Sequence, residues 1–265
     1  MNMKLLGGAL LGAALSAQAA AGTTYFATAG TTLFRVDDGG SVQSFDLGVE
    51  LSSLSFDADG RLWGGEQDDQ DGDQSYALYE VLDPFGSANA VMQGDFLPGR
   101  LGSLAMKNST MLGFETTTGQ LLDVDAHAKS WALAAMLGSG TTRPSSSGYD
   151  ADHDVLYGIR NDTLYKFSTD GLYTQSTVAT LFGGETSGSN GGEWYGGKYY
   201  HAVNDGSLYH VYTVDVSTGE LTEVLNWAVD GRGASGLAVA TTPVPTPGAA
   251  GLLGLGALTL TRRRR

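Results

Sequence analysis

Apolar and polar residues alternate in short runs through most of the chain. Between residues 22 and 242 these runs are rich in Val, Leu, Tyr and Phe, and they are separated by Gly, Asp, Asn and Ser. Alternation with a period of two predicts β-strands, and the separating residues are typical of turns. Helix-like spacing occurs at residues 130–137, over a short stretch. We therefore expect an all-β body in which this stretch is the one helix-like segment.

A sequence element of the form Leu-aromatic-x-Val, with close variants, recurs through this body. Its copies follow one another at steps of 45, 43, 43 and 44 residues. A period near 44 residues, with about four short strands in each unit, is the signature of a β-propeller blade. The five copies begin at Leu33, Leu78, Leu121, Leu164 and Leu208.

The two ends of the repeat array are complementary. The first repeat begins at Thr24 without an inner strand, and a spare strand comes last, at residues 234–240. We expect this last strand to become the inner strand of the first blade, because closing the ring leaves no terminal blade unpaired. The sequence thus predicts a five-bladed β-propeller; a β-sandwich is the alternative, although it does not explain the regular period. The remaining inner strands are predicted at residues 52–56, 103–106, 146–149 and 190–194.

Composition and charge narrow the class of protein. The chain of 265 residues contains 39 Gly, 6 Pro and no Cys, which favours many tight turns and excludes disulfides and thiolate chemistry. The net charge is −14, and five of the 15 basic residues lie in the two terminal segments, so residues 22–242 carry about −19. Such a body would repel nucleic acid and anionic membranes. This negative charge suits a soluble extracellular protein, and solubility alone is sufficient to explain the charge.

The N-terminal segment has the three parts of a secretory signal. Lys4 follows the start, an apolar run extends from Leu5 to Leu15, and Ala17-Gln18-Ala19 places small residues where signal peptidase cleaves. The apolar run is too short to span a bilayer stably. We expect residues 1–21 to be a signal peptide and signal peptidase to be a partner.

The C-terminal segment, residues 243–265, also has three parts in order. A proline-containing stem is followed by the apolar run GAAGLLGLGALTLT and then by an arginine cluster. By the positive-inside rule the arginines would stay cytoplasmic. The residues that carry the pattern are Val244, Pro245, Pro247, Arg262, Arg263, Arg264 and Arg265.

This order resembles the PEP-CTERM sorting signal, over residues 244–265 only. Thr246 stands where the motif of that family has Glu. The resemblance implies processing by an exosortase, a membrane cysteine protease, and delivery to the cell envelope, cell surface or extracellular matrix of a bacterium. An ordinary tail anchor is the alternative. Both place the body outside the cytoplasmic membrane, attached transiently or permanently through the apolar segment.

The second repeat carries an acidic insertion. Its spacing from Leu62 to Leu78 is 16 residues, whereas the corresponding spacings in the other repeats are 8 to 10. Alternating Asp around a Gly is typical of a calcium loop, although the full twelve-residue motif and its closing Glu are missing. We expect either a calcium site or a solvated acidic loop here. The candidate ligands are Asp68, Asp69, Asp71 and Asp73.

Arginines and serines recur where the inner strands begin. In a propeller all inner strands begin on one face, around the axis, so these side chains would surround one mouth of the channel. Such donors could hold a carboxylate or a sugar. The serines also have a structural explanation, because strands that converge at an axis need small residues. The candidates are Arg100, Arg143, Arg232, Ser53, Ser103, Ser147 and Ser235.

Three functions remain open at this point. The leading hypothesis is an exported surface or matrix protein, not an enzyme, whose propeller is a binding or scaffold module, with extracellular polysaccharide as a candidate partner. The alternative is an exported propeller hydrolase or lyase that acts on polysaccharide or a lactone, since fold does not decide function. In the third the body is a spacer. No cofactor other than the candidate calcium is expected.

Overall fold

A computed structural model of the chain describes residues 22–68, 75–137, 143–231 and 235–241. The compact unit is Gly22–Thr242. Its strands form five four-stranded antiparallel sheets, which are the five blades of a β-propeller. No helix in the described part of the chain is long and apolar enough to cross a membrane.

Each blade is built from strands that are almost entirely consecutive in the chain. Blade 1 contains β1 (Thr23–Ala29), β2 (Thr32–Asp37) and β3 (Val42–Asp46). Blade 2 contains β4 (Leu51–Phe56), β5 (Leu62–Glu66), β6 (Tyr76–Leu82) and β7 (Asn89–Leu97). Blade 3 contains β8 (Leu101–Lys107), β9 (Thr110–Glu115), β10 (Gln120–Asp125) and β11 (Ser130–Met136). Blade 4 contains β12 (Ser146–Asp150), β13 (Val155–Arg160), β14 (Thr163–Ser168) and β15 (Gln175–Thr180). Blade 5 contains β16 (Ser189–Tyr195), β17 (Lys198–Asn204), β18 (Leu208–Val214) and β19 (Leu221–Ala228).

The ring is closed as the repeat array predicts. The last strand, β20 (Leu237–Thr241), pairs antiparallel with β1 and completes blade 1, in the order β20-β1-β2-β3. The paired residues run from Thr23 with Thr241 to Ala27 with Leu237. Because β20 ends where β1 begins, the described chain starts and stops on the same side of the propeller. We call this side the back face, and the side on which the inner strands begin the front face.

The hydrophobic core is divided among the five junctions between neighbouring blades. Each junction contains its own cluster of buried side chains. Between blades 5 and 1, for example, Tyr25 packs edge-on against Tyr200 with ring centroids 5.8 Å apart. Aromatic residues therefore fill the space between blades, where a ring buries 150–250 Å² of surface.

Glycines let the inner strands approach closely at the axis. A Cβ on Gly148 of β12 would lie 2.5 Å from the backbone nitrogen of Trp194 in β16. A Cβ on Gly191 would meet the nitrogen of Leu237 at 2.6 Å, and one on Gly236 would meet the nitrogen of Leu54 at 2.8 Å. Real Cβ atoms do not approach that closely. The sequence therefore places glycine at three of the five inner-strand junctions because backbones touch there.

The expectation of a helix-like segment at residues 130–137 is wrong. Residues Ser130–Met136 form β11, the outer strand of blade 3, and pair with β10 through a register shift between Leu121 and Leu122. Most of this strand is exposed, including Trp131, Leu133 and Met136. The alanines of this segment gave it a helix-like composition. The outer edge of β10, however, presents backbone N–H and C=O groups that need hydrogen-bond partners, and pairing with β11 provides them.

Candidate functional site

A shallow depression lies at the axis on the front face. All five blades contribute to it, and the space within it is about 140 Å³ when the open solvent at its mouth is included. Three of the four serines predicted to surround the channel mouth, Ser53, Ser103 and Ser235, line it. The other lining residues are Ser52, Leu54, Gly102, Leu104, Ser145, Gly191, Gly192, Gly236 and Leu237.

Hydroxyl and amide groups near the axis bridge each pair of neighbouring blades. Thr28 Oγ1 donates to the Leu51 carbonyl at 3.0 Å, between blades 1 and 2, and Ser52 Oγ donates to the Leu101 carbonyl at 2.6 Å, between blades 2 and 3. The other junctions are bridged by Ser103 Oγ to the Pro144 carbonyl (3.4 Å), Asn190 Nδ2 to Ser145 Oγ (3.4 Å), and Tyr209 Oη with Ser235 Oγ (2.9 Å). We call these five contacts the hydroxyl ring. Two of the predicted mouth serines, Ser103 and Ser235, therefore already bond to a neighbouring blade.

The other two predicted serines differ from each other. Ser53 Oγ accepts a hydrogen bond from the backbone nitrogen of Gly65 at 3.3 Å, within its own blade. Ser147 is fully buried, and its hydroxyl has no hydrogen-bond partner in the described part of the protein. A buried hydroxyl without a partner costs about 1–3 kcal/mol. Ser147 is thus the one predicted serine whose polar group is buried at a cost.

Two of the predicted arginines converge on one turn of the front face. Arg100 Nε donates to Thr116 Oγ1 at 3.1 Å, and Arg143 Nη1 donates to the carbonyls of Thr116 and Thr117 at 2.5 and 3.0 Å. Arg232 lies outside the described residues. The structure therefore brings Arg100 and Arg143 together, and both donate hydrogen bonds to the turn between β9 and β10. Neither lines the axial depression, and their predicted role in ligand binding stays a prediction.

The buried carboxylate of Glu115 also forms hydrogen bonds with the turn between β9 and β10. Glu115 is 1 % exposed, and its carboxylate accepts a hydrogen bond from the Thr118 nitrogen at 2.6 Å and others from the Thr117 nitrogen and the Thr118 hydroxyl. Burial alone would raise the pKa of Glu115, but these hydrogen bonds outweigh it and hold the pKa below its usual value. The carboxylate is therefore ionised in its structural role.

The predicted calcium ligands fall mostly outside the described residues. Asp68 follows the end of β5 and is exposed, whereas Asp69, Asp71 and Asp73 are not described. The Glu66 carboxylate, at the end of β5, accepts a hydrogen bond from the Ala77 nitrogen at 2.9 Å and is buried. The acidic loop thus departs from a fixed base on the front face, and calcium binding stays a prediction.

Glu193 places a carboxyl group inside the packed axis. It lies on β16, the inner strand of blade 5, and is buried. Burial raises the pKa of Glu193 well above its usual value, and hydrogen bonds from the Ser55 hydroxyl and the Trp194 nitrogen oppose that shift only partly. Ser55 belongs to blade 2, which is not a neighbour of blade 5, so this contact crosses the axis. Burial therefore favours the neutral form of the Glu193 carboxyl group.

A buried polar chain joins blades 4 and 5. Ser146 Oγ lies 2.8 Å from Tyr199 Oη and 3.2 Å from His201 Nδ1. All three residues are completely buried, and burial lowers the pKa of His201 to about 4, so its ring is neutral at physiological pH. These contacts link the inner strand of blade 4 to the second strand of blade 5.

Sequence reasoning missed a cluster on the back face. Asp57 and Asp59 lie in the turn between β4 and β5, and His127 lies in the turn between β10 and β11 of the next blade. One side-chain oxygen of each aspartate and a ring nitrogen of the histidine all lie within 4.8 Å of one another. The Asp-x-Asp turn is visible in the sequence. Its histidine partner, about 70 residues away, is brought close only by the packing of the two neighbouring blades.

The residues of the predicted sorting signal lie outside the described part of the chain. These are Val244, Pro245, Pro247, Arg262, Arg263, Arg264 and Arg265. The signal peptide at residues 1–21 is likewise not described. Both remain predictions from the sequence.

No protein-family model matches this chain. No curated protein matches it either. Solved structures do: a chain of a nidogen/laminin complex has a TM-score of 0.56 at 10 % identity, over 84 % of this chain and 100 % of that chain. A gluconolactonase from Xanthomonas campestris has a TM-score of 0.48 at 16 % identity, over 77 % of this chain and 70 % of that one. An auxiliary nutrient binding protein from Bacteroides ovatus has a TM-score of 0.47 at 13 % identity, over 76 % of this chain and 56 % of that one. At such identities the similarity to the nidogen/laminin chain shows the fold alone, and it agrees with the closed ring of five blades: this chain is a β-propeller.

Proposed function

We propose that this chain is an exported bacterial surface or matrix protein whose propeller is a binding or scaffold module. The signal-like N-terminal segment supports export, and the stem, apolar run and arginine cluster of residues 244–265 support sorting by an exosortase-type enzyme. The described body begins and ends on the back face.

The closed axis is the observation that carries the module hypothesis. Sites for small molecules usually have volumes of about 300–1,000 Å³, whereas the axial depression has no enclosed room even for a sphere the size of a water molecule. Serine, glycine and leucine line it, and its hydroxyls are largely engaged in the hydroxyl ring. These features favour contacts made by the broad faces and loops of the propeller over chemistry in a central pocket.

The negative charge of residues 22–242 indicates which binding partners are electrostatically compatible with the propeller. With about −19 on residues 22–242, close approach to another polyanion is unfavourable. Neutral polysaccharide, or an acidic polysaccharide bridged by calcium at the acidic loop, is compatible with this charge. The proposed partners are therefore extracellular glycans rather than nucleic acid.

A glycan-array screen of residues 22–242, with and without calcium, tests this proposal. A retained glycan class identifies the binding function, and a calcium-dependent signal assigns it to the acidic loop. Asp68→Asn should then weaken the calcium-dependent signal, whereas Asp162→Asn in the corresponding turn of blade 4 should not. A flat array combined with retention at the cell surface supports the scaffold form. Cleavage of an arrayed glycan, or of a lactone offered in the same buffer, would contradict the proposal and favour the enzyme.

A further inference from the structure

The cluster of Asp57, Asp59 and His127 brings ligand atoms from two blades to one point. His127 Nε2 lies 3.2 Å from Asp57 Oδ2 and 3.7 Å from Asp59 Oδ2. The two aspartates belong to blade 2 and the histidine to blade 3, so the convergence follows from the packing of neighbouring blades. The cluster offers one imidazole nitrogen and two carboxylate oxygens. Zn²⁺ binds nitrogen and oxygen ligands, whereas Ca²⁺ prefers oxygen ligands, so this set suits Zn²⁺ better.

Asp57 is fixed in place before any ion binds. Its side chain is 6 % exposed, and its Oδ1 accepts hydrogen bonds from the nitrogens of Asp59 and Arg61, both at 2.9 Å. Its Oδ2 accepts a further hydrogen bond from Trp63 Nε1 at 2.8 Å. A donor of this kind behind a ligating carboxylate is the usual way in which proteins orient metal ligands.

His127 is oriented by the same tryptophan. The imidazole stands edge-on to the Trp63 ring, with centroids 5.8 Å apart and an interplanar angle of 84°. Trp63 itself is almost completely buried. One buried indole therefore sets the positions of both the deepest carboxylate and the imidazole.

The two distances from His127 Nε2 to the carboxylate oxygens are compatible with tetrahedral coordination. Two ligands at about 2.1 Å from a zinc ion, with a tetrahedral angle between them, lie about 3.4 Å apart. The measured separations of 3.2 and 3.7 Å bracket this value. Three protein ligands would leave the fourth position open to solvent.

Two other histidines of the chain provide an internal comparison. In blade 4 the equivalent turn contains Asp150, Asp152 and His153, but His153 Nδ1 contacts Asp150 Oδ2 alone, at 2.7 Å. His210 has two carboxylates near it, Glu223 at Nδ1 and Asp205 at Nε2, on opposite ring nitrogens. Neither arrangement directs two carboxylates at one ring nitrogen, as the cluster on the back face does.

We propose that Asp57, Asp59 and His127 form a binding site for a divalent transition-metal ion of the Zn²⁺ class, which joins blades 2 and 3. The ion occupies the position now spanned by the His127–carboxylate contacts and is bound by Nε2 of the neutral imidazole. The site differs from the acidic insertion in its residues and its chemistry, so it stands independently of the proposed function.

Titration of the metal-free full-length chain with Zn²⁺ by calorimetry tests the site, with Co²⁺ absorption as a report of geometry. We expect one equivalent to bind and a tetrahedral Co²⁺ spectrum. His127→Ala and Asp59→Asn should each weaken Zn²⁺ affinity at least tenfold. Both side chains are largely exposed, at 43 % and 70 %, so the fold should be retained.

The matched controls are His153→Ala and Asp152→Asn, which alter the equivalent turn of blade 4. Both should bind Zn²⁺ like the wild type. The proposal is overturned if the wild type binds no Zn²⁺, if His127→Ala and Asp59→Asn bind it unchanged, or if the blade 4 variants lose binding equally. An octahedral Co²⁺ spectrum would also contradict the tetrahedral site.

Discussion

The buried carboxyl group of Glu193 makes the stability of this fold depend on pH. In the unfolded chain its carboxyl group ionises near its usual pKa of 4.5, whereas in the folded protein burial keeps it protonated to a much higher pH. Folding therefore retains a proton that the unfolded chain releases. By linkage, stability decreases as pH rises from about 4.5 through the raised pKa of the folded state.

Glu193→Gln should remove this pH dependence. The amide has nearly the same shape and carries no charge, so it avoids the cost of ionising a buried acid. We expect the free energy of unfolding, measured with urea between pH 5 and pH 9, to decrease less steeply with pH in the variant. Glu220→Gln, at an exposed position, should keep the wild-type slope. Equal slopes for wild type and Glu193→Gln would contradict the neutral-acid assignment.

Residue-level roles were only partly predictable from the sequence. Small residues at the start of inner strands were predicted, and Ser103 and Ser235 are there. The pairing of Ser235 with Tyr209 was not predictable, because it depends on how two neighbouring blades pack against each other. The Asp57 turn was visible, but His127 was not, for the same reason.

At the scale of the element, the inner strands hold the ring together through the hydroxyl ring. Ser52→Ala should destabilise the protein by about 1–2 kcal/mol, because it leaves the buried Leu101 carbonyl without its 2.6 Å donor. Ser147→Ala is the matched control, since its buried hydroxyl has no partner among the described residues. It should be neutral or stabilising. Chemical denaturation of both variants checks this; an equal loss in both would mean that the ring contributes nothing.

The strands were predictable to the extent that each carries its own alternating pattern. The Leu-aromatic element marks the third strand of every blade, at β2, β6, β10, β14 and β18. The outer strand β11 was the exception, because its exposed apolar and alanine-rich sequence carries no period of two. Its conformation is imposed by β10, and such tertiary pairing overrides local propensity.

At the scale of the whole molecule, closure depends on a strand contributed from the far end of the chain. β20 buries Leu237, Ala238 and Val239 against its neighbours. Each large apolar side chain that is fully buried contributes about 1.5–3 kcal/mol. A chain that ends at residue 231 should therefore unfold at a markedly lower temperature and less cooperatively than one that ends at residue 242. Calorimetry compares the two directly, and equal melting temperatures would contradict closure by β20.

The most direct test of the central claim is where the propeller is found in its own cell. Antibody labelling of intact cells should detect the propeller on the outside when the chain is complete. A chain that ends at residue 242 should instead be released into the medium, because it keeps the signal-like segment and lacks the sorting tail. Labelling that requires lysis of the cells, or surface retention that does not depend on the tail, would contradict an exported module held by residues 243–265.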